Sequence, residues 1–131
     1  MLEAQRPAAA GAGLLRVVIV DDSEPIRSLL ATLLNDGACI VAGTASDGAE
    51  AIEVVKATEP DVVIMDLHMP GMDGLEALRL LAPECDDTCF VMFTSGDARA
   101  IAACLAAGAR RHFLKQDIVA LIAYVDGLRP G

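Results

Sequence analysis

At 131 residues, 54% of them apolar, the chain is long enough for one domain with a self-sufficient core. No stretch reaches the ~18 apolar residues of a membrane span. A net charge of −9 argues against phosphate-neutralising contacts, so nucleic-acid binding by this chain is not expected.

Residues 1–13 are Ala/Gly/Pro-rich and are expected to be a disordered tail, with one domain over 14–131. The start has no apolar segment of the secretory type. The four cysteines, Cys39, Cys85, Cys89 and Cys104, are therefore expected as reduced core thiols in a cytoplasmic protein, with a zinc site as the weaker alternative.

From Leu14 onward the pattern alternates between strand and helix. Leu15 to Val20 is apolar on both faces and reads as the first strand. Ser23 is a candidate N-cap, with Pro25 near the first helical position. Ile26, Leu29, Leu30, Leu33 and Leu34 then fall on one helical face, and Gly37 is expected to end that helix. Ile40 to Ala45 is a second strand. Asp47 and Glu50 resemble a capping pair for a second helix, which runs to about Thr58 before Pro60. Val62 to Asp66 is a third strand, and Leu75 to Leu81 a short third helix.

A loop over Pro83 to Thr88 leads to a fourth strand, Phe90 to Thr94. The fourth helix carries a stripe of Ile101, Ala102, Leu105 and Ala106, and Gly108 ends it. His112 to Leu114 reads as a short fifth strand, followed by a helix from Asp117 through Leu128. Five strands, each followed by a helix, predict an α/β domain with a doubly wound parallel sheet.

In such a sheet the carboxyl ends of the strands share one edge, where ligand sites collect. Asp21 and Asp22 follow the first strand, Asp66 the third, Thr94 and Ser95 the fourth, and Lys115 the fifth. Clustered carboxylates repel one another unless a cation intervenes, and Mg²⁺ suits one or two carboxylates plus phosphate oxygens. A hydroxyl and an ammonium beside them can neutralise a phosphoryl group, with Asp66 as nucleophile.

Four stretches in order, VIVDDSEPIR at 18–27, VVIMDLHMPGMDG at 62–74, MFTSG at 92–96 and GARRHFLK at 108–115, resemble the receiver domains of two-component response regulators. The likeness covers about residues 14–128 and is nearest to the receivers of NarL/LuxR-type regulators. It implies a flavodoxin-like (βα)5 fold with strand order 2-1-3-4-5. It implies Asp66 as phosphoacceptor, and Mg²⁺ held by Asp22, Asp66 and the backbone carbonyl of His68, with Asp21 acting mostly through water. Thr94 and Lys115 would contact the phosphoryl group.

In the family, the threonine and an aromatic on the fifth strand move together. Here those positions are Thr94 and His112, coupling the site to a partner face on helix four, strand five and helix five. A sensor histidine kinase or phosphotransfer protein is the implied donor, and phosphorylation-dependent homodimerisation is implied as well. The resemblance makes the chain a switch rather than an enzyme, apart from its own phosphorylation and dephosphorylation. Gln116 stands where much of the family has proline, so a cis bond after Lys115 is not expected.

His68 near the acceptor is read as a solvent-facing histidine or as one that positions water. The end LRPG resembles the start of a linker, so the chain is either a single-domain regulator or part of a longer one. A phosphatase of the haloacid dehalogenase type is the runner-up. It needs a second acid two positions after the nucleophile, and that position is His68. A flavin-mononucleotide binder would meet repulsion from Asp21 and Asp22. A degenerate receiver, never phosphorylated, is the remaining alternative.

Overall fold

The computed structural model describes residues 13–35 and 38–128. The expected tail falls almost entirely outside them, as do Gly37 and the linker-like end after Leu128. The elements are β1 (Leu15–Val20), α1 (Glu24–Leu34), β2 (Cys39–Ala45), α2 (Gly48–Thr58), β3 (Val62–Met65), α3 (Gly74–Leu81), β4 (Cys89–Thr94), α4 (Ala98–Ala107), β5 (Ala109–Leu114) and α5 (Ile118–Asp126). Single 3₁₀ turns cover Ala82–Glu84 and Lys115–Asp117. The strands form one parallel sheet in the order β2-β1-β3-β4-β5, as expected.

The alternation of each strand sorts its side chains into two cores. Val18, Val20, Val63, Met65, Phe90 and Met92 face Ala51, Val55, Ala77, Leu78, Leu81 and Cys104 of α2, α3 and α4. Val17, Ile19, Val62, Ile64, Val91 and Phe93 face Leu30, Leu34, Leu121 and Val125 of α1 and α5. A sheet covered on both faces explains why β1, β3 and β4 read as unbroken apolar runs.

Two expected helix faces are narrower than the sequence suggested. On α1, Leu30 and Leu34 are fully buried, but Leu29 and Leu33 are 45% and 40% exposed. A helix lying on a sheet buries one i, i+4 row, and the five-residue arc is wider than that row. On α4, Ile101 and Cys104 are buried, while Ala102, Leu105 and Ala106 are exposed. That helix lies at the margin of the sheet, beside the edge strand β5, where nothing covers its second face among the described residues.

Strand β5 begins three residues before the expected His112, because Arg110 and Arg111 mask an edge strand whose outward side chains are exposed. Ser23 caps α1 by accepting from the Ile26 N–H, with Pro25 in the first turn. Asp47 caps α2, but the Glu50 carboxylate reaches Ser46 rather than the Asp47 backbone. The full reciprocal box is one helix later: Asp73 accepts from Glu76 N–H at 2.9 Å, and Glu76 accepts from Asp73 N–H at 3.0 Å. Every described peptide bond is trans, that between Lys115 and Gln116 included. The four cysteines are free thiols. Cys39 and Cys104 are buried; Cys85 and Cys89 are half-buried. No helix among the described residues is long and apolar enough to cross a membrane.

Candidate functional site

The register places the site. Val20 pairs with Met65, so the next residues, Asp21 and Asp66, stand side by side at the carboxyl edge of the two central strands. The Asp66 N–H donates to Val20 O at 2.9 Å and locks that alignment. Thr94 ends β4 and Leu114 ends β5 as its partner, which brings Lys115 to the same edge. One carboxylate oxygen from each of Asp21, Asp22 and Asp66 lies within 4.8 Å of the others.

Asp21 is 2% exposed and is held by two donors. The Ser23 N–H reaches Oδ1 at 2.9 Å and Lys115 Nζ reaches Oδ2 at 2.7 Å. Lys115 is also 3.6 Å from Asp66 Oδ2, so one ammonium serves two acids and sits closer to Asp21. Asp66 is 7% exposed and accepts a long hydrogen bond, 3.4 Å, from the His68 N–H. Asp22 is exposed and opens the cluster to solvent.

Thr94 is 1% exposed, and its Oγ1 has no hydrogen-bond partner. It lies close enough to Asp66 to favour the carboxylate, but only as a neighbouring dipole, since the bond geometry is not met. A buried hydroxyl without a partner is costly, and such groups mark places completed by something else. The donor set is all oxygen, with solvent access through Asp22, which suits a hard divalent cation rather than a thiolate-preferring one.

The Asp66 carboxyl is raised above the usual carboxylate range, chiefly because burial strips it of water. The Lys115 charge opposes that rise, Asp21 adds to it, and Thr94 and the His68 N–H oppose it more weakly. A carboxyl raised in the folded state binds more protons folded than unfolded between the two values. Stability therefore falls as pH rises from the ordinary carboxylate range through the raised value, and the penalty is complete above it. Asp66→Asn removes that penalty. In chelator at pH 7 the variant is expected to melt above the wild type, with the gap closing as the pH falls to about 4. A lower melting point at pH 7 would contradict this account of the carboxyl.

His112 is not part of the acid cluster. It is exposed and lines a groove of about 420 Å³ with Gly96, Ala98, Ile101, Leu105 and Leu114, between α4 and β5. The His68 side chain is exposed at the lip of the site. Two further contacts have no counterpart in the sequence, which shows Gly74 only as the end of a turn that Gly71 opens. Arg27 donates from Nη1 to Asp21 O at 2.7 Å. Gly74 lies so close to Asp66 that a Cβ there would be 2.2 Å from Asp66 O. The MDG run contained that glycine, but only the fold reveals what it touches.

Fold and site together define a doubly wound α/β domain with an acidic pocket at the carboxyl edge of its central strands. A family model described as the response regulator receiver domain matches residues 17–126, and the chain belongs to that family. It is 42% identical over 83 residues, 63% of this chain, to a protein-glutamate methylesterase/protein-glutamine glutaminase of Natronomonas pharaonis, covering 23% of that protein. It is 38% identical over 118 residues, 88% of this chain, to the transcriptional regulatory protein LiaR of Bacillus subtilis, covering 55% of that protein. The signal receiver domain of the response regulator NarL from Mycobacterium tuberculosis superposes with a TM-score of 0.77 at 32% identity, covering 88% of this chain and 98% of that one. The chain thus spans about a quarter to just over half of these two curated relatives.

Proposed function

We propose that this receiver takes a phosphoryl group on Asp66 from the phosphohistidine of a sensor histidine kinase or phosphotransfer protein. The observation that carries the reading is the buried Thr94 hydroxyl without a partner beside Asp66. The hydroxyl makes no well-formed bond to the neighbouring Asp66 carboxylate, and a phosphoryl group on that carboxylate would bring an oxygen to it.

An Asp66 oxygen attacks phosphorus as the bond to the donor imidazole breaks; the electron pair returns to that ring nitrogen, and a proton already on the other ring nitrogen lets the imidazole leave neutral. Thr94 and Lys115 then donate to the phosphoryl oxygens, Lys115 by leaving Asp21. Asp22, Asp66 and the backbone carbonyl of His68 would hold Mg²⁺, with Asp21 reaching it through water. When bound, the ion supplies positive charge to the acids and the phosphoryl group.

Thr94 drawn toward Asp66 vacates space behind it, and His112 is positioned to rotate from the groove beside α4. That groove, with β5 and α5, is the face that meets a partner or a second phosphorylated copy. The chain is a cytoplasmic switch and not an enzyme beyond its own phosphorylation and dephosphorylation. An output domain in a longer protein is one route to transcription control, and direct contact by the receiver alone is the other. The phosphatase reading is not favoured, because the position two after Asp66 is His68, which offers no carboxyl to protonate a leaving group.

The test is intact mass after incubation with a small-molecule phosphodonor. A gain of one phosphoryl group that needs Mg²⁺ and disappears in Asp66→Asn is the expected result. Folded wild-type protein that gains nothing from the small donor or from a phosphorylated kinase would make the domain a degenerate receiver that acts by binding alone.

A further inference from the structure

The loop between β1 and α1 carries two of the three clustered acids, and it is fixed asymmetrically. Asp21 is held at its carboxylate by Ser23 N–H and Lys115 and at its own N–H by Ala45 O, 3.0 Å away. Asp22 is exposed, and among the described residues no donor holds its carboxylate. Its direction therefore depends on the peptide that joins it to Asp21. The β1–β3 ladder takes Val20 O, through Asp66 N–H, so it does not use the carbonyl of that peptide.

Arg27 takes it instead. Arg27 sits in the first turn of α1, its own N–H bonded to Ser23 O at 3.0 Å. Helical side chains lean toward the N-terminus, which carries the guanidinium back over the turn. There Nη1 donates to Asp21 O at 2.7 Å. Among the described residues it makes no ion pair with Asp21, Asp22 or Asp66. A guanidinium one turn from three carboxylates, bonded to backbone rather than to any of them, is placed to orient and not to neutralise.

We infer that Arg27 is a positioning residue for the divalent cation: its bond to Asp21 O sets the Asp21–Asp22 peptide plane and so aims the Asp22 carboxylate at the site it shares with Asp66. The inference rests on the Mg²⁺ reading above. It assigns the cation affinity of the pocket partly to a residue that touches no ligand atom, and groups that orient metal ligands in this way typically govern affinity 10- to 100-fold.

The experiment is Mg²⁺ titration calorimetry, beside thermal melts in chelator, on wild type, Asp22→Asn, Arg27→Met and Arg27→Lys. Wild type that binds Mg²⁺ and Asp22→Asn that does not would establish the pocket itself; no binding by wild type would fail the Mg²⁺ reading and this inference with it. Given binding, Arg27→Met is expected to weaken it about 10-fold, with most of the affinity restored in Arg27→Lys, which keeps a donor at the end of a long chain. A charge effect has the opposite sign, because removing a cation beside three acids tightens binding of another cation. Tighter or unchanged binding in Arg27→Met, with or without a lower melting point, would overturn the inference.

Discussion

Gly74→Ala is expected to destabilise the domain by about 3 kcal/mol and to slow Asp66 phosphorylation about 100-fold. A Cβ at residue 74 would stand 2.2 Å from Asp66 O and 3.0 Å from the Leu67 Cα, and both are backbone that cannot swing aside. The Gly74 N–H also closes the loop by donating to Leu67 O at 2.9 Å. Relief requires the chain at Asp66 to move, and a displacement of that order at a reacting group costs about two decades of rate. Gly71→Ala is the control. It has positive φ but open space around it, so only the left-handed backbone is charged, at about 1–2 kcal/mol. Urea unfolding of both variants decides the matter. Equal losses, or a Gly74→Ala loss under 1 kcal/mol, would mean that the close approach is not a constraint.

Lys115→Met is expected to cost about 3 kcal/mol at neutral pH without divalent ions. The ammonium is 2.7 Å from an almost fully buried Asp21 and 3.6 Å from Asp66, and methionine leaves both acids without their cation. The Asp66 carboxyl, already raised by burial, loses the largest influence that holds it down and rises further. The deficit is therefore greatest above that raised value and shrinks as acid protonates the carboxyl. A divalent cation supplies the missing charge, so saturating Mg²⁺ is expected to stabilise Lys115→Met more than wild type. Urea midpoints across pH, with Mg²⁺ and with chelator, test both parts. A loss under 1 kcal/mol in chelator would show that water, not Lys115, compensates these acids.

The central strands were legible because burial on both faces writes an unbroken apolar run, and the acids were legible because each follows such a run. Asp21, Asp66, Thr94 and Lys115 needed only the rule that parallel strands end together. The start of β5 was not legible, since Arg110 and Arg111 on an edge strand look like a turn. The α4 stripe misled because Ala102 and Leu105 have the period of a buried face while lying at the sheet margin. The contacts of Arg27 and Gly74 could not be read, although Gly74 is legible as a turn residue. Their contacts are with backbone atoms, and backbone has no signature in sequence. The Asp73–Glu76 box, by contrast, is readable from spacing alone.

The exposed run Arg110, Arg111, His112 lies along the edge of the sheet, where among the described residues strand β5 pairs only with β4. An unprotected edge invites another chain to extend the ladder, and charged side chains guard against it. In a protein of net charge −9 this edge is locally basic, so two copies meeting edge to edge would oppose like charges. A relay component has to part from each partner after an exchange. Contacts through side chains come apart readily, whereas a continued ladder does not. The guarded edge biases encounters toward the reversible kind.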